Sequence, residues 1–306
     1  MKTSTAVLPP LLVLDQLLQS WLLEDIGRGD RTTQSLLASG SKTGKAQWIA
    51  KEAGVIAGLP IAARVFHLLN EQVKFTPTVE EGQYCDFPQG MSPEPRPVIA
   101  TIEGPLDALL TGERVALNLA MRLSGIATMT NKYVAQIADL PAQLVDTRKT
   151  TPGLRLLEKY ATQVGGAVNH RMGLDDGVLI KDNHIAAAGG IGNAIVQIRS
   201  RIPYPLTIEV ETETLDQVRE ALEYKADIIM LDNMPPQMMR QAVQIIRERG
   251  VSPAVAGENR IKIEASGNVT LETIRAVAET GVDYISSSAP ITRSTWLDLS
   301  MRMSSY

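Results

Sequence analysis

The sequence predicts an α/β protein in two parts: a mixed α and β layer over residues 1–140 and a parallel α/β sheet or barrel over residues 141–290. Residues 291–306 are expected to form a C-terminal helix or tail. Three observations predict this. From Gln143 onward, apolar runs of about four to six residues alternate with helical spacings of about ten to fifteen, the βα rhythm of parallel sheets. Before Gln143, short strands and turn signals follow one another without that alternation. The 306 residues, 44% hydrophobic and 21% charged, have an ordinary globular composition, unlike disordered, collagenous or disulfide-built chains. A net charge of -4 argues against a chain that binds nucleic acid or anionic lipid over its whole surface. The single cysteine, Cys85, closes no intrachain disulfide and has no histidines grouped with it, which fits a reducing cytoplasm.

The leucine-rich start, 8–23, is interrupted by Pro9, Pro10, Asp15 and Gln16 and makes a poor signal sequence. Leu11, Leu14, Leu17, Leu18, Trp21 and Leu22 recur at helical spacing behind two prolines suited to a helix start, so this segment reads as an amphipathic helix. No apolar run approaches the roughly 18 residues that span a bilayer. Strands are expected at 46–51, 54–58, 72–79 and 98–103, with a helix at 61–70 among them. The four prolines within 88–97 mark a loop. The spacing turns helical over 106–139, with Ser124-Gly125 expected to break it into two helices. Six strands follow, at 143–146, 178–181, 206–211, 228–232, 261–264 and 284–287, each ending in polar residues.

Ligands of parallel α/β sheets and barrels sit at the carboxyl ends of the strands, so residues there converge whatever their separation in sequence. The basic residues near those ends are Arg148, Lys149, His170, Arg171 and Lys181. Arginine forks match carboxylate or phosphate, and lysine acts as a point charge on phosphate oxygens, so the set points to a polyanionic substrate. The plainer alternative pairs them with Asp146, Asp175, Asp176 and Asp182 on a solvated face. Glu211 and Asp232 end successive strands and suit a divalent cation, ribose hydroxyls or a developing positive charge. Ser266, Gly267 and Asn268, then Ser287 and Ser288, are small residues placed before helices, where backbone N–H groups bind phosphate.

Three motifs, Asp146-Thr-Arg-Lys-Thr-Thr-Pro-Gly153, Gly165-Gly-Ala-Val-Asn-His-Arg171 and Leu179-Ile-Lys-Asp-Asn-His184, resemble those of quinolinate phosphoribosyltransferases. The resemblance extends from Glu24-Asp-Ile-Gly-Arg-Gly-Asp30 through Gly112-Glu-Arg-Val-Ala-Leu-Asn118 and Arg122-Leu-Ser-Gly-Ile-Ala-Thr128 to Glu209-Val-Glu211, Leu231-Asp-Asn233 and Glu264-Ala-Ser-Gly267. It implies an N-terminal α/β sandwich, an open, incomplete α/β barrel of about seven strands, and a homodimer. It also implies transfer of phosphoribose from phosphoribosyl pyrophosphate to quinolinate with magnesium, giving nicotinate mononucleotide, pyrophosphate and carbon dioxide. By the same resemblance, Arg148, His170, Arg171 and Lys181 surround the quinolinate carboxylates. Arg114 reaches in from the neighbouring subunit, and Lys149 and Lys181 face the pyrophosphate. One departure stands out: where the family shows a glycine turn and then a threonine-histidine-serine step, this chain reads Ser286-Ser-Ser-Ala-Pro-Ile-Thr-Arg-Ser294. Arg293 is therefore expected to take the 5′-phosphate. Beside this reading stand a barrel aldolase using Lys149 or Lys181 as a Schiff base, a non-catalytic phosphate sensor, and a same-fold enzyme for another ligand.

Overall fold

The computed structural model describes residues 6–38, 40, 42–86, 96–249 and 261–304. Up to the long helix the elements are α1 (Leu11–Ile26), α2 (Arg31–Leu36), β1 (Thr43–Ala50), β2 (Gly54–Val55), α3 (Leu59–Leu69), β3 (Lys74–Pro77), β4 (Tyr84–Cys85), β5 (Val98–Pro105) and α4 (Leu106–Ala135). Then come β6 (Gln143–Val145), α5 (Arg155–Val164), β7 (Val178–Ile180), α6 (Asp182–Ala188), α7 (Ile191–Arg199), β8 (Ile208–Thr212), α8 (Leu215–Glu223) and β9 (Ile228–Asp232). The chain closes with α9 (Pro236–Arg249), β10 (Lys262–Ser266), α10 (Ile274–Ala278), β11 (Tyr284–Ser286), α11 (Ala289–Thr292) and β12 (Leu299–Met303). They form two compact units. The first takes residues up to Asn131, Leu156–Gly166 and those from Arg293 on; the second takes Lys132–Arg155 and Ala167–Thr292.

In the first unit an antiparallel sheet runs in the order β12-β1-β5-β3. Thr43, Lys45 and Gln47 of β1 face solvent while Ala46 and Trp48 at the alternate positions are buried, the period-2 pattern of a one-sided sheet. The Trp48 ring meets Phe75 edge-on at 5.3 Å and Phe66 of α3 at 6.3 Å, and Phe66 stacks on Phe75 at 6.2 Å. Glu81 caps α3, accepting from the Gly58 and Leu59 N–H groups at 2.6 and 3.1 Å and from the Tyr160 hydroxyl at 2.9 Å.

Two expectations are corrected here. Ser124-Gly125 does not break the long helix, because α4 runs through both residues and uses them for packing. The Ser124 hydroxyl accepts from the Ala57 N–H at 2.9 Å and donates to the Ala57 carbonyl at 3.1 Å. A Cβ on Gly125 would collide with the Thr295 carbonyl oxygen, so glycine here lets another backbone pass close to the helix. Nor is the segment 291–306 a terminal helix or tail: α11 stops at Thr292, and Leu299–Met303 is an edge strand registered on β1 from Ala50↔Leu299 to Ala46↔Met303. Ahead of the loop expected at 88–97, Tyr84 and Cys85 pair with β2, and 87–95 lie outside the described residues.

The second unit contains a six-stranded sheet in the order β6-β11-β10-β9-β8-β7, and every ladder in it is parallel. A single parallel bridge, Val145↔Val168, adds a rudimentary seventh position beside β6. Among the described residues nothing pairs that seventh position with β7, so the barrel is open at this seam. Buried Ile208, Val210, Ile229, Leu231, Ile263 and Ile285 alternate along the strands with the residues considered below. At the amino ends, Arg247 of α9 holds Asp283 through two 2.8 Å hydrogen bonds, and Asp283 in turn accepts from the Ile263 N–H at 2.8 Å. Among the described residues no helix is long and apolar enough to cross a membrane.

Candidate active site

Residues i and i+2 of a strand share a face, which puts Glu209 and Glu211 of β8 together. Parallel register extends that face to Met230 and Asp232 of β9 and to Glu264 and Ser266 of β10. Ser266 pairs with Asp232 at the carboxyl edge. The structure thus gathers carboxylates from three strands that lie far apart in sequence.

Lys181, just past β7, places its ammonium 3.2 Å from Glu211. Burial pushes the Glu211 carboxyl above its ordinary value; Lys181 opposes this, while the negative charges of Asp232 and Asp182 add to it. Glu211 and Asp232 are therefore near enough to repel, and a cation between them would relieve that repulsion.

On the basic side, Asp146 at the end of β6 is buried and accepts from the His170 N–H at 2.9 Å and the Asn169 side-chain amide at 2.6 Å, which fixes the Asn-His-Arg segment. Arg171 donates from Nη1 to the Gly177 carbonyl at 2.9 Å. Burial and the neighbouring Arg148 charge lower the Arg171 pKa, partly offset by Glu209 and Asp176. Arg148 is half-buried, and its Nε is buried with no hydrogen-bond partner. Two guanidinium groups held close enough to repel form a site that an anion stabilises.

His170 stands at the centre. Its Nε2 lies 2.9 Å from Glu209 and 3.5 Å from Glu264, and its Nδ1 accepts from the Arg171 N–H at 2.9 Å. Both glutamates are buried. Burial and the Glu209 charge push the Glu264 carboxyl up to about 8, opposed by His170 and a hydrogen bond from Ser286. The sequence places Glu209 and Glu264 among the converging strand-end residues but assigns them no role. For Glu209 the signal is its alternation, with Glu211, between Ile208, Val210 and Thr212 along one strand.

The small-residue turns also converge. The Asn233 N–H donates to the Ser266 carbonyl at 3.0 Å, and the Asn268 amide donates to Asn233 Oδ1 at 3.4 Å. Gly267 has φ +101° and a Cβ there would collide with the Asn233 side chain, so the turn demands glycine. Asn233 and Asn268 take the left-handed region at φ 52° and 49°, which asparagine tolerates. The Ser287 hydroxyl is used internally, donating to the Val269 carbonyl and accepting from the Ala289 N–H, both at 3.3 Å, while Ser288 is half-buried. Lys149 in the loop after β6, Arg114 on α4 and Arg293 after α11 are all exposed.

The family model for the C-terminal domain of quinolinate phosphoribosyl transferase matches residues 126–302, and that for the N-terminal domain matches residues 30–124. The chain belongs to the quinolinate phosphoribosyltransferase family. Among its relatives, the probable nicotinate-nucleotide pyrophosphorylase [carboxylating] of Synechocystis sp. is 57% identical over 97% of this chain and 94% of its own length. The Bacillus subtilis protein of the same name is 45% identical over 95% and 93%. The crystal structure of NadC from Streptococcus pyogenes is 38% identical, with a TM-score of 0.87 over 97% of this chain and 99% of that one. The open barrel and N-terminal sheet expected from the motifs are present here, in a fold shared with the Streptococcus pyogenes structure.

Proposed function

We propose that this protein transfers phosphoribose from phosphoribosyl pyrophosphate to the ring nitrogen of quinolinate, with loss of carbon dioxide, yielding nicotinate mononucleotide and pyrophosphate. The observation that carries this reading is the pairing, within one barrel, of Arg171 and Arg148, whose buried Nε has no hydrogen-bond partner, with Glu211 and Asp232 on adjacent parallel strands. A dicarboxylate suits the first pair. A sugar that gains positive charge in the transition state suits the second. Arg148, Arg171 and Lys181 take the two carboxylates, with His170 beside them and Arg114 supplied by a second copy of the chain. Lys149 and Lys181 face the pyrophosphate. Ser266, Gly267, Asn268, Ser287, Ser288 and Arg293 serve the phosphate end.

As the bond from the anomeric carbon to pyrophosphate breaks, the ribose becomes oxocarbenium-like, and Glu211 and Asp232 stabilise that charge until the quinolinate nitrogen attacks. The ring is then cationic. Loss of the adjacent carboxylate leaves an electron pair beside this charge, and a proton from solvent fills the position, so no dedicated base is needed. The hard oxygen donors of Glu211 and Asp232 fit magnesium, and an ion held there would supply positive charge to the pyrophosphate. We place the enzyme in the cytoplasm as a homodimer, with neither nucleic acid nor membrane as a partner.

Incubation with quinolinate, phosphoribosyl pyrophosphate and magnesium should release carbon dioxide and nicotinate mononucleotide; folded protein that yields neither overturns the proposal. For the shared site, Arg114→Ala and Lys149→Ala should each be nearly inactive, and activity should return when the two are mixed after subunit exchange, because one site in each heterodimer carries neither lesion. No recovery, with exchange confirmed by mass, removes Arg114 from the partner's site.

A further inference from the structure

Two acidic side chains buried side by side need a reason to be there, since burial penalises their charge and a charge on one opposes ionisation of the other. Glu209 and Glu264 project from β8 and β10 into the barrel, and the Oε1 atom of each is buried without a hydrogen-bond partner. The group they share is the His170 ring, with Nε2 at 2.9 Å from one and 3.5 Å from the other. Arg171 and Ser286 also face this pair.

The ring's other nitrogen fixes its tautomer. A backbone N–H can only donate, so Nδ1, which accepts from Arg171 at 2.9 Å, carries no hydrogen; the ring hydrogen sits on Nε2 and donates toward the glutamates. The His170 N–H meanwhile donates to Asp146. Both ring nitrogens are thus committed inside the protein, and the ring joins a buried acidic pair to the backbone that carries Arg171.

We infer that Glu209 and Glu264 are positioning residues for the acceptor pocket, holding the His170 ring so that its Nδ1 anchors the Arg171 backbone and aims the guanidinium at an acceptor carboxylate. The inference rests on the quinolinate reading of the site. It assigns His170 an indirect role and gives the two glutamates a role in acceptor affinity rather than in the chemistry of the donor.

Removing one member of a buried charged cluster usually destabilises a fold, so Glu209→Met and Glu264→Met are assayed at a temperature at which circular dichroism shows each variant to be folded. Both should weaken quinolinate binding about tenfold or more, measured by calorimetry, while phosphoribosyl pyrophosphate binding stays within about threefold. Glu264→Gln, which keeps an acceptor for Nε2–H, should remain within about threefold of wild type for quinolinate. His170→Ala combined with Glu209→Met should bind quinolinate no worse than His170→Ala alone, because the glutamate acts through the ring. Methionine variants with wild-type quinolinate affinity, equal loss of both ligands, additive losses in the double variant, or a bound transition metal that Glu264→Gln abolishes would each overturn the inference. Wild-type protein that binds no quinolinate would instead overturn the functional reading beneath it.

Discussion

The antiparallel sheet of the first unit and the parallel sheet of the second use their alternating faces in opposite ways. In the first, the buried face of β1 and β5 is apolar, with Trp48 registered on Ala100 and Ala46 on Ile102, and the charged residues face solvent. In the second, the apolar residues take the alternate positions on each strand, and the barrel face carries Glu209, Glu211, Asp232 and Glu264. A sheet with a sufficient apolar face on one side can hold a costly polar layer on the other. That layer is where function is to be sought.

The largest expected effect lies in the apolar sheet. Trp48→Ala should lower the unfolding free energy by about 3 to 5 kcal/mol in urea titration, since the ring is fully buried against two phenylalanines. A loss below about 1 kcal/mol would break the comparison at its first limb. Arg171→Ala should change stability by no more than about 1.5 kcal/mol, the net worth of its one hydrogen bond to Gly177, yet cost about 1.5 to 3 kcal/mol of kcat/KM for quinolinate. Nicotinate, one carboxylate short, should be a very poor acceptor for the wild type; equal turnover of both acids would refute the carboxylate assignment. Arg293→Ala should weaken phosphoribosyl pyrophosphate binding about tenfold and spare binary quinolinate binding. Unchanged donor affinity by calorimetry would leave this exposed arginine a surface residue.

The remaining effect concerns pH. Glu264 in the folded protein keeps its proton up to about 8, whereas an unfolded glutamate loses it near pH 4.3. Between those values the native state binds more protons than the unfolded state, so this group makes stability fall as pH rises, by at most about 1.4 kcal/mol per pH unit. Glu264→Gln removes the contribution, and its melting temperature should fall less than that of wild type from pH 5 to pH 8. Parallel curves would show that Glu264 ionises normally.

The strands of the second unit were legible because each is a short apolar run bounded by polar residues, and each of the six segments expected there overlaps a strand. What failed was non-local. Ser124-Gly125 looks like a helix break until the Thr295 backbone is seen crossing it, and Leu299–Met303 looks like a tail until β1 supplies the partner. At the site, the residue types and their strand-end positions could be read, because chemistry dictates them. The link from Glu209 and Glu264 through His170 to Arg171 could not, since its members come from two strands and a loop and only the barrel brings them together.

The β1 and β12 pairing also bears on how the chain is made. Ala46 and Met303 are register partners roughly 250 residues apart, so β1 leaves the ribosome with one edge open until the whole barrel has been synthesised. At about 5 to 20 residues per second this lasts roughly 10 to 50 s. During that time a row of unpaired N–H and C=O groups is available to another nascent chain. The first sheet is thus begun early and finished late, and stalled or prematurely terminated synthesis should yield aggregates that nucleate at residues 43–50.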